Sequence, residues 1–200
     1  MPVPPAELMT LKVVVAGGFG VGKTTLIGAV SEIPPLRTEE VLTEAGRPLD
    51  DTSGVEAKNT TTVALDFGRI TFNDGPRPME MFLFGTPGQP RFIPIWDHLV
   101  HGAHGAIVLV DTRRLEGSWH AVDYFERTGL PFIVAVNLFQ DAARYPEADI
   151  ARALRLHPGV PVISCDARDE QSVAGVLIDL AEHALSTALT TTPSPALDSL

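Results

Sequence analysis

The chain has one cysteine in 200 residues, Cys165, so no disulfide can form within it and a reducing compartment fits. It has no basic excess. Fifteen Lys and Arg face 25 Asp and Glu, and the net charge of -10 weighs against nonspecific binding to nucleic acid or to an anionic membrane, since both are polyanions. No stretch approaches the ~18 consecutive apolar residues of a membrane span. The opening "MPVPPAELMT" lacks the basic start and apolar run of a secretory signal. Pro2 leaves no glycine to myristoylate, and the closing "LDSL" has no cysteine to prenylate. The expected location is the cytoplasm, with any visit to a membrane owed to a partner rather than to direct insertion.

What remains is an ordinary globular balance, 44% hydrophobic and 20% charged, enough to bury a core. One domain is expected over residues 10–188, between a flexible start at 1–9 and a flexible tail at 189–200. Apolar runs predict strands near 11–16, 61–70, 79–84, 105–111, 131–136 and 160–164. Asp74-Gly75 in "NDGPRP" predicts an antiparallel hairpin between the second and third. The other strands are spaced for crossover helices and so for parallel pairing. Helices fit 23–31, 117–127, 146–156 and 170–188. The last is the clearest, with Val173, Val176, Leu177, Leu180 and Ala184 at helical spacing. The stretch 33–60 has no periodicity and carries Pro34, Pro35, Gly46, Pro48 and Gly54, which predicts a long functional loop.

"VVVAGGFGVGKTT", residues 13–25, contains Gly17-Gly18-Phe19-Gly20-Val21-Gly22-Lys23-Thr24, the pattern G-x-x-x-x-G-K-[ST], followed by Thr25. Glycines let the backbone curl with its N–H groups inward, making an anion nest at a helix N-terminus. A lysine there reaches the β- and γ-phosphates, and the threonine hydroxyl ligates Mg²⁺. A ligand-free glycine turn explains the spacing far less well. The base is not fixed by this stretch.

Two further segments, "NTTTVALDFGRI" at 59–70 and "FLFGTPGQPRF" at 82–92, resemble the switch regions of the small Ras-like GTPases. The similarity is nearer to the bacterial MglA-type branch and the CvnD-like GTPases of actinobacterial conservons, where "TTVALDFGRI", "FGTPGQ" and "VLVDTRR" occur almost as they stand here. It runs over about residues 10–188. The resemblance implies a three-layer α/β P-loop NTPase of Ras-like G-domain type, with a mostly parallel six-stranded sheet and one antiparallel edge hairpin. It also implies GTP or GDP and Mg²⁺ as ligands. Lys23, Thr62 and Gln89 become the catalytic group: Thr62, with Thr61 as fallback, joins Thr24 as a metal ligand, and Gln89 orients water. Gly88 offers its N–H to the γ-phosphate. Asn137, Leu138, Gln140, Ala167 and Arg168 fall where the guanine is read, with the Ala167 N–H meeting its O6. Conservon GTPases are encoded beside a roadblock-fold protein and a sensor-kinase-like membrane protein, which become the expected partners. Contact is expected through Phe67–Ile70 and Phe92–Trp96.

Three places depart from the pattern. Gly85 replaces an aspartate that holds the Mg²⁺ shell; Asp111 is the nearest substitute in register, and Asp66 a less favoured one. Phe19 replaces a glycine near the γ-phosphate, either obstructing the site or packing on the long loop. Leu138 and Gln140 replace the lysine and aspartate of Asn-Lys-x-Asp, and Asp141 lies one position late. A neutral amide accepts more weakly than a carboxylate.

His98, His101 and His104 fit solvated histidines better than a metal site. Arg91, Arg113 and Arg114 fit ion pairs better than arginine fingers. Phe92, Ile95 and Trp96 suit a packed switch helix or a partner surface equally. Three functions compete: a GTP switch with slow hydrolysis, a nucleotide-binding interaction module with none, and a P-loop kinase or ATPase.

Overall fold

The strands form because short runs of β-branched and apolar residues are bounded by glycine, proline and polar turns. The computed structural model describes residues 8–34, 36–42, 61–73 and 77–191, with backbone alone at 36–42, 61–64 and 191. The Asp74-Gly75 turn, residues 43–60, and the extreme termini lie outside the described residues.

Seven strands make one sheet: β1 (Met9–Ala16), β2 (Leu36–Leu42), β3 (Thr61–Phe72), β4 (Met79–Gly85), β5 (Gly105–Val110), β6 (Phe132–Asn137) and β7 (Val162–Cys165). Their order is β2-β3-β4-β1-β5-β6-β7. β1 pairs parallel with β4 and β5, and the parallel ladder continues through β6 to β7. β3 is antiparallel to both β2 and β4. The sheet thus has one strand more than expected. β2 falls inside the stretch read as irregular, and the β3–β4 pair lies one place in from the edge.

Helices α1 (Lys23–Val30) and α5 (Glu170–Thr191) cover one face. On the other lie α2 (Ile93–Val100), α3 (Trp119–Thr128) and α4 (Glu147–Leu154). Alternation assigns Val13 and Val15 to the first core and Val14 and Ala16 to the second. β5 and β6 are buried at every residue, as central parallel strands require. α5 runs into the expected tail as far as Thr191. It is long and apolar enough to cross a membrane by length and composition, but Val173, Val176, Leu177 and Leu180 are buried in the first core. One stripe of the helix thus packs on the sheet, while Ile178, Leu185 and Leu189 on it are exposed.

α2 is not among the four helices that periodicity predicts, but it matches the packed-helix reading of the segment after Gln89. Its Trp96 is 3% exposed, edge-on to Tyr124 at 5.2 Å and stacked over Phe125 at 6.1 Å. Phe92 is buried as well. Of the two readings of this segment, packing is the one the structure supports. The Tyr124 hydroxyl donates to Asp97 Oδ1 at 2.7 Å, and burial together with that carboxylate raises its pKa.

Candidate functional site

β1 delivers the glycine loop to the carboxyl edge of the sheet, and α1 begins at Lys23. Gly17, Gly20 and Gly22 have φ of 137°, 73° and 106°, values that disfavour any side chain. The loop is also tightly seated. A Cβ on Gly17 would lie 2.2 Å from the Leu109 carbonyl oxygen, and one on Gly22 would lie 2.6 Å from Asn137 Nδ2. The Lys23 ammonium is buried and donates to the Gly17 and Gly18 carbonyls, each at 2.9 Å. Burial lowers its pKa from 10.5 to about 8, against an opposing pull from Asp66.

The residue next along, Thr24, donates its hydroxyl to Asp66 Oδ2 at 2.5 Å. Asp66 is the register partner of Gly85 across the antiparallel β3–β4 pair. A Cβ at position 85 would stand 3.0 Å from the Asp66 Cβ and 3.3 Å from its Oδ2. A carboxylate from the neighbouring strand therefore stands beside the Thr24 hydroxyl, next to the place a side chain at position 85 would take. This corrects the preference for Asp111, whose buried carboxylate is taken up by Arg113. That guanidinium gives it bonds of 2.9 Å from Nε and 2.8 Å from Nη2. The Arg113 hydrogen bonds hold Asp111 below the usual carboxylate range despite burial. A hydroxyl beside a carboxylate fits a hard divalent cation with oxygen ligands. A buried lysine on a curled loop fits a phosphate. Among the described residues there is no cluster of three or more His, Cys, Asp or Glu to hold a metal, and His98, His101 and His104 form none.

After β4, Gly88 abuts the loop: a Cβ on it would come within 2.8 Å of both Lys23 Nζ and the Phe19 amide nitrogen. Gln89 opens the turn before α2 and is partly buried. Phe19 is 72% exposed, and most of the long loop on which it was expected to pack lies outside the described residues. The side chains of Thr61 and Thr62 are not among those described. β3 places the Thr62 backbone about 13 Å along the strand from Asp66, so the two threonines Thr24 and Thr62 are not brought together here.

At the other end, Asn137 joins three loops. Its Nδ2 donates to the Val21 carbonyl at 2.9 Å, and its Oδ1 accepts from the Ala167 amide at 3.2 Å. Gln140, Leu138, Thr25, Ala167 and Arg168 border a cavity of about 350 Å³ beside this junction. Arg168 is held by Asp166 through bonds of 2.9 and 2.8 Å. Asp141 also borders the cavity, but its Oδ1 accepts from Arg113 Nη1 at 2.6 Å. The Arg113 guanidinium lies 4.0 Å from the Phe139 ring centroid. Asp66 and this arginine clamp are what sequence reasoning undervalued. The usable signal was the pairing of Asp66 with a glycine across a hairpin.

A strand, a glycine loop seated on helix α1, and a buried lysine on one edge of a parallel sheet define a P-loop nucleotide-binding protein. More particularly, the chain belongs to the family described as conserved hypothetical ATP binding protein, which matches residues 15–187. It is 30% identical over 129 residues to the uncharacterized protein MJ1339 of Methanocaldococcus jannaschii, covering 64% of this chain and 69% of that one. It is 23% identical over 128 residues to the Ras-related protein RABD1 of Arabidopsis thaliana, covering 60% of this chain and 62% of that one.

Proposed function

We propose that the protein is a guanine-nucleotide-binding switch that hydrolyses GTP slowly and is regulated by partners. The observation that carries this reading is the approach of Gly88 to Lys23 and the Phe19 amide, which puts the loop after β4 at the phosphate end of the glycine loop. A terminal phosphate at that end bears directly on that loop, the arrangement by which nucleotide state is converted to shape. The distant likeness to a Ras-related protein supports the same class.

In this reading Lys23 would bind the β- and γ-phosphates, while the Thr24 hydroxyl and the Asp66 carboxylate beside it would hold Mg²⁺. Bound Mg²⁺ supplies charge neutralisation of the phosphates. Gln89 would orient the attacking water, while Thr62, which β3 holds away from Thr24, has no part in the shell as it stands here. Asn137 and the Ala167 amide frame the base. A roadblock-fold protein and a sensor-kinase-like membrane protein are the partners the conservon resemblance suggests. With Phe92 and Trp96 buried, the partner surface falls to Phe67–Ile70 and the exposed Phe19.

A second reading is favoured by one observation. Asp141 is tied to Arg113 and Gln140 is neutral, so the base cavity offers guanine no unpaired carboxylate, which suits adenine as well. The family description points the same way. Identification of co-purified nucleotide by chromatography, with phosphate release followed from GTP and ATP with Mg²⁺, decides between them. Guanine nucleotide and slow release lost in Q89A is the expected result. Binding with no release, with or without partner, would leave a non-hydrolysing module; ATP preference with transfer to an acceptor would overturn the switch.

A further inference from the structure

The loop after β5 opens with two arginines that are placed very differently. Arg113 is fully committed: Nε and Nη2 to Asp111, Nη1 to Asp141, and its plane to Phe139. Arg114 has one long contact, 3.8 Å from Nη2 to Asp111 Oδ2, with its side chain 56% exposed. Asp111 already accepts several closer bonds from Arg113, so it does not hold the second guanidinium firmly.

The tip of Arg114 nevertheless lies on the glycine loop. Its Nη2 is 3.5 Å from where Gly20 would carry a Cβ. It borders a cavity of about 190 Å³ shared with Gly18, Phe19 and Gly117, while Gly20 also borders the larger cavity beside Asn137. The guanidinium stands on the shoulder of the loop, between the phosphate end and the base end. A nucleoside diphosphate brings two or more negative charges to this place. Lys23 supplies one cation from inside the loop, and Leu138 supplies none from the base side. Among the described residues, Arg168 is engaged with Asp166, and Arg91 lies 4.7 Å from the Phe92 ring.

We infer that Arg114 is a positioning residue for the phosphates of the bound nucleotide, reaching them from the outer side of the glycine loop and slowing nucleotide release. This rests on the P-loop reading but not on which base is bound. A guanidinium donating to a phosphate oxygen is a charge-assisted bond in a partly desolvated place, so its loss speeds release about tenfold.

The test uses the full chain and fluorescent GDP and ADP, with dissociation rates measured at low and high salt for wild type, R114A, R114K and R114E. Release is expected to be about tenfold faster in R114A, faster still in R114E, and close to wild type in R114K. Added salt should speed release from wild type more than from R114A, a difference that a merely packing side chain would not produce. Thermal unfolding of R114A without nucleotide should match wild type, since the side chain is exposed. Equal release rates for wild type and R114A would overturn the inference while leaving the P-loop reading intact. Absence of any nucleotide binding by wild type would overturn both, and K23A serves as the marker of what that absence looks like.

Discussion

Position 85 and position 66 share one volume. Because β3 and β4 are antiparallel with these two residues in register, a side chain on either fills the space beside the Thr24 hydroxyl. Glycine at 85 follows from aspartate at 66, and the reverse substitution is open. D66A is expected to weaken Mg²⁺-dependent nucleotide binding by about tenfold, as loss of a metal-supporting carboxylate does. G85D alone should destabilise the fold, by about 1–3 kcal/mol through overpacking and like charge. The double variant D66A/G85D should recover binding relative to D66A. Titration with a fluorescent nucleotide, with and without Mg²⁺, gives the answer; a double variant no better than D66A would show that the two positions are not interchangeable. Lys23, Thr24 and the glycines were legible because their chemistry lies in one contiguous stretch. Asp66 was not, because its role depends on a cross-strand neighbour that only pairing register reveals.

Among the elements, the parallel strands and α1, α3, α4 and α5 could be read from periodicity and glycine or proline punctuation. β2 could not. Its sequence "LRTEEVL" is half polar, and what makes it a strand is the ladder to Thr61–Phe67 rather than its own propensity. α2 was hidden by Pro94 near its start and Gly102 just past its end, which left eight helical residues too short to show a period. Its weight in the fold is larger than its length, because Trp96 fits between Tyr124 and Phe125. W96A is expected to cost about 3–5 kcal/mol, measured by denaturant unfolding, with W96F retaining much of the stability. A W96A protein with an unchanged midpoint would return Trp96 to the surface role once considered for it.

For the molecule as a whole, the titrating groups set opposite flanks of the stability curve. Asp111, Asp141 and Asp166 all have lowered pKa values in the fold through arginine partners, Asp166 to about 2 against 3.8. Their stabilisation is complete above about pH 4 and is lost as the pH falls towards 2, because the unfolded chain takes up protons first. Lys23 works in the other direction. Between about 8 and 10.5 the unfolded chain keeps a proton that the fold has released, so this residue makes the protein more stable as the pH rises through that interval. Unfolding curves from pH 2 to 10 should show a lower plateau near neutral pH and a smaller acid loss in D111N, since the group that took up the proton is gone. The alkaline rise should be missing in K23M, and its persistence there would assign it to another group.

Asn137 has a consequence for how effects in this protein combine. One amide ties the Val21 carbonyl, at the phosphate loop, to the Ala167 amide, at the far edge of the base cavity. Substitutions at the two ends of the nucleotide site are therefore not independent perturbations. A change on the β7 side propagates to the glycine loop without touching it, and pairs of such changes will fall short of the sum of their separate effects. Any ranking of residues in this site from single substitutions will credit each end with a share of what the other contributes.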